Sequence, residues 1–577
     1  MKKYLSTLTI LFLFAHMLNA EEIFVTTQTE LTSAIARAKP GDVIKLKNGN
    51  WNNIVINFQN SGFAGNPITL KAETPGEVII SGKSNLRIAG KHLVVDGLVF
   101  KGGYSASSAA VVEFKSSSGV ESSFCRLTNT SIIDFNPGDS KTDYKWISLF
   151  GDHNRVDHCY LKGKTHIGTT LVVWLSAKPN YHLIDSNYFA NRPAFPENGA
   201  ETIRIGTSDW SMYDSFTTVE YNYFEECNGE VEIISSKSCG NVYRYNTFKN
   251  CQGTLTLRHG NRCTVEGNFF FCGKKTDSGG IRIIGEDHKV INNYVEDSYG
   301  TSYKAGITLM NGVPNSPLNR YFQVKRALVA FNTVVNAKIS LQIGAGKDSE
   351  LSLPPLDCTI ANNIFYSTNS PIVTVVDNPI NMKMVGNVFY GASAGFTMPA
   401  GNLNIDPQLK KDSDYIYRPV STSPVINAAD PTITFEKDID GQNRSNICDI
   451  GADELSSDPI KIKPVGPNDI GPAYLRKVTF INRNYNINSD FRLGQNFPNP
   501  FNPSTSISWR VNKGTNVKLK VFDLLGREVA SLVDEYKIPG SYNSFFSSSD
   551  FNLTSGVYFC TLMADGHSET RKMNLIK

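Results

Sequence analysis

Through the middle of the chain, apolar residues alternate with polar ones for a few positions and then give way to an asparagine. Ile203 and Ile205 flank Arg204, Leu255 and Leu257 flank Thr256, and Ile281 and Ile283 flank Arg282. A period of two marks a strand with one buried face. The asparagine recurs in a phrase: Asn187-Tyr188-Phe189, Asn222-Tyr223-Phe224, Asn246-Thr247-Phe248, Asn268-Phe269-Phe270, Asn293-Tyr294-Val295, Asn332-Thr333-Val334, Asn363-Ile364-Phe365 and Asn387-Val388-Phe389. The intervals are 35, 24, 22, 25, 39, 31 and 24 residues. The short ones fit one coil of a parallel β-helix, and the longer ones imply loops inserted into a coil. Asparagine suits a sharp bend because it tolerates positive φ, and its side chain can pair with the same residue one coil on. The aromatic that follows is expected to turn inward and stack.

The two ends depart from this pattern. Thr29 to Ala38 places Leu31, Ala34, Ile35 and Ala38 on one helical face, and Pro40-Gly41 stops it before a strand at Val43-Ile44-Leu46. A helix laid over the first open sheet edge would protect it. Less regular coils run through Val78-Ile79-Ile80 and Leu93-Val94-Val95, and the solenoid is expected to end near Asp449-Ile450-Gly451-Ala452. Residues 456–488 carry Pro459, Pro464, Pro467 and Pro472 with little periodicity, as a linker does. Beyond them Val517, Leu519 and Val521 alternate with Lys518 and Lys520, and Gly556-Val557-Tyr558-Phe559 opens a further strand. Short strands with turn signals predict a β-sandwich. The fold expected is all-β: a right-handed parallel β-helix over 21–455, a linker over 456–488, and a small C-terminal β-sandwich over 489–577.

Composition agrees and narrows the field. A chain of 577 residues exceeds one ordinary compact core. Only 19% of residues are charged, against 45 Gly, 26 Pro, 33 Phe and 24 Tyr, the profile of an extracellular β-rich protein. The 57 basic and 54 acidic residues give a net charge of +3, which argues against a nucleic-acid scavenger or a polybasic membrane binder. Lys2 and Lys3, the apolar run Tyr4 to Met17 and the small residues before Glu21 form a secretory signal peptide over 1–20, too short in its apolar run to span a bilayer. No transmembrane span is expected in the mature chain. The 10 cysteines are sparse for this length. Cys227, Cys251 and Cys272 follow the asparagines at similar offsets, so buried stacked side chains are favoured over disulfides.

Charged residues stand out on the outward positions. Arg204, Glu232, Arg258 and Arg282 follow one another at 28, 26 and 24 residues, each about one coil, so a single column on one sheet is expected. A solvated face of ion pairs is the plain alternative. Against it, Glu230 and Glu232 lie at i, i+2 on one face, where they repel unless a cation sits between them, and oxygen ligands suit calcium. Arg, Lys and His around them make an anion site of the kind a polymeric uronate would occupy.

The segment Asn228 to Asn261 (NGEVEIISSKSCGNVYRYNTFKNCQGTLTLRHGN) resembles polysaccharide lyase family 6, which contains alginate lyases and chondroitinase B; so do Asn198 to Gly206 and Gly279 to Gly285. The resemblance covers roughly residues 22–455. It implies calcium held by Asn198, Glu230 and Glu232, Lys237 as Brønsted base and Arg258 as Brønsted acid. It also implies substrate contacts from Arg204, His259 and Arg282. The implied reaction is β-elimination: a proton leaves C5 of a uronate, charge develops on its carboxylate, and the bond to O4 breaks.

Residues 489–577 resemble the C-terminal sorting domain of the type IX (Por) secretion system, through Asn496 to Pro503, Val521 to Val529, Gly556 to Phe559 and the basic Arg571-Lys572. That implies export through the periplasm of a Gram-negative bacterium by the type IX machinery, ending secreted or at the cell surface. An adhesive or carbohydrate-binding sandwich is the alternative for this module. For the whole chain, a calcium-dependent alginate lyase leads. A lyase for dermatan or chondroitin sulfate, a β-helix glycoside hydrolase with paired carboxylates, and a silent surface adhesin are the competing readings.

Overall fold

The computed structural model describes residues 20–195, 198–476, 491–496, 498–511, 513–564 and 567–576. The signal peptide expected over 1–20 lies outside them except for residue 20. The chain forms two compact units, one reaching Val478 and one starting at Thr479.

The first unit is a parallel β-helix. Each coil contributes a short strand to each of three sheets, one of fourteen strands and two of thirteen, and the pairing within them is parallel. The asparagine ladder runs along one corner. Asn187 Nδ2 donates to Asn222 Oδ1 at 2.9 Å, Asn222 to Asn246 at 3.0 Å, and the chain of bonds continues through Asn268, Asn293, Asn332, Asn363 and Asn387 to a further rung, Asn402. The bend works differently from the expectation. Positive φ falls on the residue before each ladder asparagine, as at Ser186, Tyr221, Tyr245 and Phe331. The asparagine itself is turned inward and buried, where burial demands that its amide be paired. Two residues on, Phe189, Phe224, Phe248 and Phe270 stack inside the coil at 5.0, 4.6 and 4.4 Å between ring centres. All ten cysteines are free and buried.

The helix Gln28–Arg37 caps the first coils with Leu31, Ala34 and Ile35 buried. Thr27 Oγ1 accepts from the Glu30 amide at 3.2 Å, while Glu30 accepts from the Thr26 amide at 2.7 Å, so two otherwise unpaired donors at its start are satisfied. At the other end, regular coils stop at Val388–Tyr390. The chain then folds back outside the solenoid, where Val425, Cys448 and Ile450 pack on Phe331, Ile364 and Val388.

The proline-rich stretch expected as a linker is laid against the coils as far as residue 476. Val465 N–H donates to Thr247 Oγ1, Gly471 N–H to the Ser186 carbonyl, and the Tyr474 hydroxyl meets Ser131 Oγ at 2.8 Å. Lack of periodicity reflected an extended strap that bonds sideways to the coils. Residues 477–490 lie outside the described set.

The second unit pairs a three-stranded antiparallel sheet (Phe491–Leu493, Ser504–Val511, Gly540–Ser547) with a four-stranded one (Glu528–Lys537, Thr515–Phe522, Gly556–Ala564, His567–Leu575). Ile507, Trp509 and Val511 share a core with Val517, Leu519, Val521 and Leu562. This is the expected sandwich.

Candidate active site

One thirteen-stranded sheet carries most of the singled-out residues on Ile203–Ile205, Glu232–Lys237, Gly253–His259 and Ser278–Ile283. They do not form one column. Arg204 is opposite Ser235, Ser235 opposite Thr256, and Thr256 opposite Arg282. Register shifts between Glu232 and Ile234 and between Ser236 and Lys237 displace the rest, setting Glu232 opposite Thr254 and Lys237 opposite His259. Sequence spacings of about one coil concealed these irregularities, which re-aim side chains where a regular pleat would not.

The result is a patch inside a cleft of about 650 Å³. Asn198, Glu230, Glu232, Lys237, Arg258, His259 and Arg282 all line it. Arg204 does not; its guanidinium stacks on Trp174 at 5.4 Å, beyond the edge of the cleft. The longest coil supplies much of one wall. Tyr303 comes from the turn Ser302–Lys304, and Asn319 and Tyr321 come from the loop between Ile307–Met310 and Leu328–Ala330. The 39-residue interval thus holds the inserted loop that its length implied.

Three carboxylates lie together at the cleft floor. One oxygen from each of Glu201, Glu230 and Glu232 lies within 4.8 Å of the others. Glu201 is 1% exposed, and neither Glu201 Oε1 nor Glu230 Oε1 has a hydrogen-bond partner. Burial, then the Glu201 and Glu232 charges, push the Glu230 carboxyl up to about 8. Its other oxygen accepts from the Gly199 amide at 3.2 Å, Thr169 Oγ1 donates to Glu201 at 3.0 Å, and Ser235 Oγ donates to Glu232. Buried, mutually repelling oxygens with unfilled acceptor sites fit a hard cation such as calcium. Asn198, next to Gly199, lies at the exposed rim of the same cleft. Glu201 was not singled out from the sequence. In strand alternation it shares the parity of inward Ile203, so the pattern hid it; the strand begins only at Ile203.

Cations rim the carboxylates. Lys237 Nζ lies 3.6 Å from Glu201 Oε1, and Arg258 Nε and Arg282 Nη1 each lie 3.6 Å from Glu232 Oε1. Arg258 Nη1 donates to the Arg320 carbonyl at 3.1 Å, and its guanidinium stacks on Tyr321 at 4.1 Å. Arg282 donates to the Tyr321 hydroxyl at 3.2 Å. Tyr321 therefore positions both arginines, a role no sequence interval could register because it sits in an irregular loop. Burial lowers the Arg258 pKa from its usual very high value, with Tyr321 and Glu232 opposing. His259 is buried, and burial followed by the Arg258 and Lys237 charges holds its pKa down at about 2. It is neutral. Arg258 Nη1 approaches its Nδ1 at 3.4 Å as donor, which leaves the proton on Nε2 facing Ser208 Oγ at 3.3 Å.

Comparison with known proteins bears on the family and the fold. A family model for chondroitinase B matches residues 25–430, and one for a secretion system C-terminal sorting domain matches residues 495–576. Among solved structures, the alginate lyase AlyGC of polysaccharide lyase family 6 is 37% identical with a TM-score of 0.70, covering 79% of this chain and 59% of its own. The chain thus spans less than two thirds of that relative's length. A mannuronic acid specific family 6 lyase from human gut microbiota is 33% identical (TM-score 0.58), covering 67% of this chain and 91% of its own. A family 6 lyase of Pseudopedobacter saltans is 31% identical (TM-score 0.57), covering 63% and 92%. No curated protein matches.

Proposed function

The chain belongs to polysaccharide lyase family 6, the alginate lyase and chondroitinase B family, and carries a secretion sorting domain; from that premise we propose that it is a calcium-dependent lyase that cleaves alginate by β-elimination outside the cell. The observation that carries the reading is a cleft with a buried carboxylate triad on its floor and Lys237, Arg258 and Arg282 above it.

Glu201, Glu230 and Glu232, with Asn198 at the rim, are the residues that would hold the cation. When bound, calcium would stabilise the negative charge that develops on the substrate carboxylate. Lys237 takes the C5 proton at Nζ. Electrons of the C5–H bond form the C4–C5 double bond, and the bond from C4 to O4 breaks. Arg258 hydrogen-bonds O4 and delivers a proton to it, directly or through water, which regenerates both groups after proton exchange with solvent. Burial makes Arg258 a better donor than a free guanidinium, and Tyr321 fixes its plane. His259 hydrogen-bonds as a neutral ring, and Arg282 pairs with uronate carboxylate.

Alginate is preferred to dermatan sulfate because AlyGC is an alginate lyase and the gut relative is mannuronic acid specific. The sorting domain supports delivery by the type IX machinery to the surface or medium. Among the described residues no helix is long and apolar enough to cross a membrane. Lys237→Ala and Arg258→Ala are expected to cut the yield of unsaturated oligosaccharide about a hundredfold or more, with thermal unfolding unchanged. Full activity in either variant would overturn the assignment.

A further inference from the structure

On the site-bearing sheet, the row that holds Lys237 continues toward the N-terminal coils. Ile205 is opposite Ser236, Val173 opposite Ile205, Leu149 opposite Val173, and Glu113 opposite Ser148. Extending that register by one or two positions places Gly206, Trp174, Phe150 and Lys115 in line with Lys237. Gly206, at φ +88°, leaves its place in the row without a side chain. Beyond it cations and rings are layered. Arg204 lies over Trp174 at 5.4 Å, Trp174 stacks on Phe150 at 5.8 Å and 13°, and Lys115 Nζ sits over Phe150 at 3.6 Å. The four are half-buried. With coils about 4.8 Å apart, Lys115 lies roughly 19 Å from Lys237 along the row.

Charge pairing marks this run off from its surroundings. Among the described residues Lys115 and Arg204 have no carboxylate at ion-pair distance, and Arg204 Nε is buried without a hydrogen-bond partner. Past the active site Asp277 holds Lys304, Glu350 holds Arg320 and Asp377 holds Lys347. One coil beyond Lys115 pairing resumes, as Arg87 holds Glu113 at 3.2 Å. Of these cations, the two without a carboxylate lie on one side of Lys237, with aromatic rings between them.

We propose that Lys115, Phe150, Trp174 and Arg204 form a distal subsite for the unreacted part of an acidic polysaccharide, with one carboxylate on Lys115, another on Arg204, and sugar rings over the aromatic edges between. This rests on the reading of the substrate as a polyuronate. It makes the enzyme favour chains long enough to reach from Lys237 to Lys115.

The test uses the full chain with Lys237→Ala to stop cleavage, and titrates it with alginate polymer and with an alginate trimer too short to span the row. Adding Lys115→Ala should weaken polymer binding about two- to fivefold, as for a partly exposed ion pair, and Lys115→Glu more. Trimer binding should keep its affinity. Unaltered polymer affinity in Lys115→Glu, or equal weakening for trimer and polymer, would overturn the subsite. Steady-state kinetics keep the two readings apart. Lys115→Ala in the active chain with the parent's KM on polymer would remove the subsite and leave the lyase, whereas Lys115-dependent binding without unsaturated product from the parent would do the reverse.

Discussion

At the scale of the residue, the site is a balance of buried charge. Glu201, Glu230 and Glu232 repel, and the protein supplies Lys237, Arg258 and Arg282 at ion-pair limits of 3.6 Å. Because the Glu230 pKa is raised to about 8 from 4.5, the folded, metal-free chain holds a proton that the unfolded chain has released between those values. The Glu230 contribution to stability therefore falls as pH rises from about 4.5 to 8. Melting temperatures of the chelated parent should fall relative to Glu230→Gln across that window, and calcium should reverse the trend; parallel profiles would contradict it. Glu201→Gln should lose the rise in melting temperature that saturating calcium gives the parent, since a ligand that binds only the folded state stabilises it. Arg204, Arg258, Arg282 and the paired Glu230 and Glu232 were legible in the sequence because each adjoins apolar strand residues, whereas Lys237 and His259 entered through the family resemblance. Glu201 and Tyr321 were not legible, one masked by parity and one carried on a loop without period.

At the scale of the element, the coil repeat was the clearest signal, because one asparagine per turn must find its partner in the next. Asn246 Oδ1 accepts from both the backbone and side-chain amides of Asn222. Asn246→Ala would leave the buried Asn222 backbone amide unpaired, at about 1–3 kcal/mol, while the side-chain amide keeps the Ile184 carbonyl, and should lower the midpoint of denaturant unfolding while leaving the product unchanged. What the repeat did not reveal is register. A spacing of 24 to 28 residues is compatible with a straight column, yet two irregularities between Glu232–Lys237 and Gly253–His259 turn the column into a patch. Such shifts arise from local backbone fit, which sequence intervals do not record. The position of the bend is a similar case: asparagine was expected to take the left-handed conformation, but residues such as Tyr221 and Phe331 take it, because the asparagine is needed inside.

At the scale of the whole molecule, the near balance of charge in the composition conceals a local one. A +3 chain places Lys237, Arg258 and Arg282 in one cleft and leaves Lys115 and Arg204 free beside it. The solenoid, its cap helix and the C-terminal sandwich were all legible, because each has its own period. The strap over residues 456–476 was not, since an extended proline-rich segment reads the same whether docked or free. Truncation after residue 455 should lower thermal stability by removing Tyr474 and its bonds to the coils, whereas truncation after 476 should not; equal melting temperatures would show the strap to be inert. Loss of residues 491–577 should leave activity intact but hold the enzyme in the periplasm, as fractionated cells would reveal. The most direct measurement of the central claim is ultraviolet absorbance of the newly formed double bond when the full-length enzyme is mixed with alginate, and in parallel with dermatan sulfate, in calcium, in chelator and after calcium is restored. The account predicts a rise on alginate that chelator abolishes and calcium restores, with no rise for Lys237→Ala; activity that ignores the chelator, or none on alginate, would contradict it.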